Sequence, residues 1–162
     1  MSGDDLDWTH SDDDYVHCNA GTVAFVDAAV LDDTENLTPV TLAGRGRVDG
    51  LLIGSHAVTA LSTGEDNDYL CEVSRAVDGT LLAARLEFVD DVADVEGEWR
   101  PIGEVEITSG RMLACDPYTL RSPWTYVVLD AAAGRYRLEA FHFLVDGVVT
   151  DHLGLRAIRI GG

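Results

Sequence analysis

Five histidines, His10, His17, His56, His142 and His152, are the first residues whose type could do chemistry. None stands in an H-x-x-x-H or H-E-x-x-H spacing, the arrangements that set two imidazoles on one surface as ligands, so no metal site is expected. Asp146-Gly147 lies between two β-rich runs and predicts a two-residue hairpin. That closure would set His142 opposite Asp151, and His152 opposite Phe141 on the other face. A carboxylate beside an imidazole can orient it as a general base, which makes His142 and Asp151 the candidate catalytic pair. No nucleophile accompanies them. Ser109 precedes a glycine without the G-x-S-x-G elbow, and Cys18, Cys71 and Cys115 carry no catalytic signature. A hydrogen-bonded structural histidine on a strand face with Tyr136, Leu138 and Ala140 is the plainer reading, and the balance leans away from an enzyme.

Other candidate chemistry is thin. Three cysteines without a C-x-x-C pair suggest neither a disulfide framework nor a zinc knuckle, and read as buried thiols. Gly44-Arg45-Gly46-Arg47 and Gly50-Leu51-Leu52-Ile53-Gly54 match neither a dinucleotide fingerprint nor a phosphate loop, so no cofactor is expected. The first of these is the one compact basic spot, and pairing with the protein's own carboxylates is its simplest role. Trp124, in Ser122-Pro123-Trp124-Thr125-Tyr126, suits either an interface anchor or, more simply, a core lid over the open end of a sheet.

Charge is the strongest global signal. The 162 residues hold 29 acidic and 11 basic side chains, a formal net charge of -18, and every basic residue is arginine. Such a chain repels phosphate backbones, which disfavours nucleic-acid binding, and the same field steers a basic partner into contact. Salt adaptation of the host or a high-GC coding bias would give a similar composition without any partner. No apolar run is long enough for a membrane helix, and Met1-Ser2-Gly3-Asp4-Asp5 is acidic where a secretory signal is basic, so a cytoplasmic protein without membrane contact is expected.

The elements that would position these residues are strands. Residues 1–14 hold six Asp and no hydrophobic period, and read as a flexible acidic tail. Residues 15–162 read as a single β domain, with strands expected at Tyr15-Asn19, Thr22-Val26, Val40-Leu42, Gly50-Ile53, Ala57-Leu61, Tyr69-Val77, Thr80-Val89, Arg100-Ile107, Met112-Cys115, Tyr126-Leu129, Arg135-Val145 and Val148-Ile160. Asp78-Gly79 predicts a type I′ hairpin that pairs Val77 with Thr80, Arg75 with Leu82, Val73 with Ala84, Cys71 with Leu86 and Tyr69 with Phe88 on a buried face. Glu72 would then oppose Arg85 on a wet one.

The chain also repeats itself. Ala20 to Leu31 aligns without gaps on Ser109 to Leu120, each a small residue, a glycine, an apolar run, an Asp and a closing Leu. Each copy is followed by a β-rich stretch with a Val-Asp-Gly hairpin and a strand carrying Arg85 or Arg156. This predicts an all-β, mostly antiparallel barrel or sandwich formed by two duplicated units, about 15–92 and 99–162. Asp27 and Asp116 are expected to cap the turns after their strands as Asx turns.

Ser109-Gly110-Arg111-Met112-Leu113-Ala114-Cys115-Asp116-Pro117, followed by Ala133-Gly134-Arg135-Tyr136-Arg137-Leu138, resembles a group of uncharacterised bacterial proteins, domain-of-unknown-function family 4241. The resemblance covers roughly the last third of the chain. The first copy has Ala28 where the family pattern has Pro, and the resemblance implies no catalytic residues.

The residues support three functional expectations. The leading one is a non-enzymatic acidic binding protein, of the inhibitor or immunity type, that blocks the active site of a basic toxin or nuclease. Its contact candidates are Trp124 and the acidic residues Asp12, Asp13, Asp14, Asp90 and Asp91. The second is a small enzyme or ligand-binding domain with its pocket between the two repeats, and the third a structural protein of a salt-adapted host.

Overall fold

The run Thr22-Val23-Ala24-Phe25-Val26-Asp27 is apolar at successive positions rather than alternate ones, and a strand of that kind must be covered on both faces. The computed structural model describes residues 6–9, 15–18, 21–38, 46–62, 67–88, 97–118, 120, 123–145 and 148–161. Its strands are β1 (Tyr15–Cys18), β2 (Thr22–Asp27), β3 (Leu37–Thr38), β4 (Gly46–Ile53), β5 (His56–Ser62), β6 (Asn67–Arg75), β7 (Leu81–Phe88), β8 (Gly97–Ile107), β9 (Arg111–Cys115), β10 (Tyr126–Asp130), β11 (Gly134–Val145) and β12 (Val148–Gly161). The first sheet has the order β1-β6-β7-β12-β11-β8 and the second β10-β9-β2-β5-β4-β3, each six-stranded. All the pairings are antiparallel, and neither sheet closes on itself among the described residues, so the fold is a β-sandwich rather than a barrel.

Two apolar layers explain β2 and its neighbour β9. Between the sheets, Val23, Phe25, Met112 and Ala114 meet Tyr69, Leu86, Leu138 and Leu155, all at most 1% exposed. On the opposite face of the second sheet, Ala24, Val26, Leu113 and Cys115 pack with Ala28, Val30 and Leu120. The cover over that face is a 3₁₀ segment, Ala28–Asn36, and the turn beyond β9. Each large aliphatic or aromatic side chain buried this way contributes about 1.5–3 kcal/mol.

The first hairpin has the expected register from Tyr69↔Phe88 through Val73↔Ala84, with Glu72 opposite Arg85. Its turn differs. Gly79 N–H donates to Ala76 O at 2.9 Å, Ala76 N–H to Thr80 O at 2.9 Å, and Gly79 has φ +91°. This is a three-residue loop closing on a left-handed glycine, so Arg75 pairs with Leu81 rather than Leu82. Asp78 Oδ1 accepts the Thr80 N–H at 3.0 Å, holding the loop.

The second hairpin closes with Val145 opposite Val148, but register shifts at Phe141/His142 and Phe143/Leu144 displace the pairs farther from the turn. His142 pairs with His152 and Asp151 with Phe143, so His142 and Asp151 are not opposite one another. A β-bulge adds one residue to one strand and moves every later partner, and nothing in a two-residue turn signal announces it.

The outer face of the first sheet is not simply wet. Arg85 pairs with Glu72 (Nε to Oε1 2.9 Å) beneath Trp8, and Arg156 pairs with Glu139 (Nε to Oε1 2.6 Å) beneath Trp99. Trp8 lies in the stretch expected as flexible tail, yet Thr9 forms a bridge to Val73 beside it (N···O 2.9 and 2.8 Å).

Candidate functional site

Asp27 ends β2, and its carboxylate fastens that strand to the β8–β9 turn. Oδ2 accepts from Thr108 N (2.8 Å), Thr108 Oγ1 (2.8 Å) and Ser109 N (3.3 Å), while Oδ1 accepts from Ala29 N (3.1 Å) and from Ser109 Oγ. Burial works against the charge, but the donors from Ser109, Thr108 and Ala29 outweigh it and hold the pKa at about 2. The Ala29 bond is the expected Asx turn, and Asp116 Oδ1 repeats it with Tyr118 N at 3.1 Å. Ser109 thus serves as a donor to Asp27.

Beside this fastening lies a cleft of about 290 Å³, formed where β2, the β4–β5 turn and β5 face β8. Phe25, Val58 and Val105 supply apolar wall, and Ser55, His56, Glu104 and Glu106 supply polar groups. β8 can approach β5 closely because residue 103 is glycine: a Cβ there would lie 3.2 Å from Thr59 Cγ2. The cleft sits between residues 25–59 and 104–106. Its lining is His56, Glu104 and Glu106 rather than His142 and Asp151, and no motif spacing in the sequence would have joined these three. Asp27 adds negative field without a free lone pair, and Arg135, 4.0 Å from Glu104, is well exposed. The cleft can therefore favour a cation with an apolar flank.

Most described arginines are engaged within the protein. Arg75 Nη1 donates to Gly79 O (3.1 Å) and Asp130 O (2.9 Å), Arg100 pairs with Glu98, Arg137 with Glu139 (3.0 Å), and Arg85 and Arg156 as above. The cysteines are buried thiols outside any disulfide, and burial, with smaller effects from Asp116 and Cys18, pushes the Cys115 thiol up. A thiol so placed is a poor nucleophile. Among the described residues no group of three or more His, Cys, Asp or Glu side chains could hold a metal ion, and no helix is long and apolar enough to cross a membrane.

Trp124 is 61% exposed, which corrects the core-lid reading. It sits on a 3₁₀ turn, Pro123–Thr125, that leads into β10, the end strand of the second sheet. The turn itself is fixed: Thr125 is buried and its carbonyl accepts from Asp116 N at 2.9 Å. The other contact candidates, Asp12, Asp13, Asp14, Asp90 and Asp91, lie outside the described residues, as do Gly44 and Arg45 of the basic spot.

No family model, curated protein or solved structure matches the chain.

Proposed function

We propose that the chain is a non-catalytic acidic binding protein whose partner is a basic protein, in the manner of an inhibitor or immunity protein that occupies the active site of a basic toxin or nuclease. The observation that carries this reading is the engagement of the arginines. Arg75, Arg85, Arg100, Arg137 and Arg156 are tied to the protein's own oxygens rather than held out to a partner, and the chain as a whole carries a net charge of -18. A field of that sign accelerates encounter with a basic surface and repels nucleic acid. Thiols that form no disulfide accord with a cytoplasmic setting.

The reading includes descent of both halves from one unit. In favour of it, β1, β2, β5, β6 and β7 recur in order as β8, β9, β10, β11 and β12, with β3 and β4 inserted. Phe25 and Ala114, superposed by the sequence alignment, are also cross-strand partners, as a twofold axis between β2 and β9 requires. Kinship with family 4241 through the second half belongs to the same proposal.

The test is capture from the native lysate at low salt with elution by rising salt, and then reconstitution from purified components. A single basic protein that rebinds in pure form supports the reading. Absence of any salt-sensitive partner overturns it.

A second reading, a small-ligand domain, is favoured by the cleft between residues 25–59 and 104–106. Its ligand would be a small organic cation. A thermal-shift screen of cationic metabolites, repeated on Glu106→Gln, separates it from the first: a stabilising compound whose effect the substitution abolishes belongs to the cleft.

A further inference from the structure

We infer that the basic partner docks along β10, laying an extended segment beside that strand with apolar side chains against Trp124 and Val128. The inference rests on the reading of the chain as an acidic binding protein and assigns that reading a surface.

Edge strands are where sheets invite another chain, and three of the four here are guarded or short. β8 carries Pro101 near its centre, which interrupts the row of main-chain donors a docked strand would need. β3 has two residues and β1 has four. β10 has β9 on one side and no described strand on the other, and it contains no proline. Its outward residues include Val128, 42% exposed, and it is entered through Trp124. Trp124 and Val128 are thus two large exposed apolar side chains within five residues, beside an edge whose far end is closed by Arg75 Nη1 donating to Asp130 O at 2.9 Å, so the docked segment lies along Tyr126 to Val128. β1 packs against the same turn and against β10, and brings Tyr15, 39% exposed, to this side of the sandwich.

Charge decides the occupant. A second copy would bring -18 against -18, whereas a basic segment gains from the field while its apolar residues cover the Trp and Val. Trp is the residue type most often dominant at such contacts, and docking would remove its exposed apolar surface from water.

The probe is a short capped peptide of alternating arginine and valine, fluorescently labelled and titrated against the full chain at low salt, beside an all-arginine peptide of equal length. The alternating peptide is expected to bind, and Trp124→Ala and Val128→Thr each to weaken it about tenfold. Val77→Ala, an exposed apolar residue on the β6–β7 turn, should leave binding unchanged. Circular dichroism confirms that each variant is folded. If the peptides bind but neither Trp124→Ala nor Val128→Thr matters, the docking surface is overturned and the acidic-binding reading stands. If neither peptide binds in a salt-sensitive way, both are overturned.

Discussion

Arg85 on β7 and Arg156 on β12 are cross-strand partners in the middle of the first sheet, and each lies 4.3 Å from the centre of an indole ring, Trp8 and Trp99 respectively. Like charges placed opposite one another repel. The fold tolerates them because Glu72 and Glu139 flank the pair from the neighbouring strands β6 and β11. The two ion pairs are not equal: Arg156 and Glu139 are 7% and 9% exposed, Arg85 and Glu72 22% and 13%. Glu139→Gln leaves a buried guanidinium short of charge and is expected to cost about 3 kcal/mol. Glu72→Gln, better solvated, should cost about 1 kcal/mol. Urea unfolding of the two variants measures both, and equal costs would contradict the asymmetry.

Gly154 holds the space in which Trp99 reaches Arg156. A Cβ at that position would lie 3.1 Å from Leu86 O and 3.2 Å from Trp99 Cη2. The backbone oxygen yields little, so the indole must move. Gly154→Ala is expected to cost about 1–2 kcal/mol by overpacking and to shift the tryptophan emission. Unchanged emission with unchanged stability would show that the stack adjusts freely.

For Asp27 the folded pKa of about 2 lies below the ordinary value of 3.8, so its contribution to stability is complete above the unfolded value and is lost as pH falls through the folded one. Asp27→Asn should lower stability at neutral pH by about 2 kcal/mol, because an amide cannot accept all five hydrogen bonds. The difference between wild type and variant should shrink as pH falls below about 4. Urea midpoints across that range decide the matter, and a constant difference would exclude a charge effect.

Cys18, Cys71 and Cys115 sit in the core at 1% exposure or less. A thiol reagent should leave all three unreacted in the native protein and modify all three after denaturation. Rapid native labelling of any one would contradict the packing of its strand.

The fold was largely legible because hydrophobic alternation and Asp-Gly turns are local signals. β6 and β7 carry their pairing in their own residues, from Tyr69↔Phe88 to Ser74↔Ala83. β2 and β9 were visible as twin apolar runs, each ended by an Asp that does form the expected Asx turn. The Ala28–Asn36 3₁₀ segment was not visible, since a continuous apolar stretch such as Ala28-Ala29-Val30-Leu31 carries no distinctive period. The candidate site was less legible. His142 and Asp151 were separated by bulges, while His56 and Glu104 approach one cleft only through sheet packing that brings β5 beside β8. Trp8 was hidden for a similar reason: its partner Arg85 lies far along the chain, and the acidic residues around it masked the contact.

The association rate with a reconstituted basic partner, measured by stopped flow as ionic strength rises, tests most directly whether the negative field recruits that partner. Steered association predicts a rate that falls steeply with salt while dissociation changes little. An association rate indifferent to salt would contradict the account and leave the charge as a matter of solubility alone.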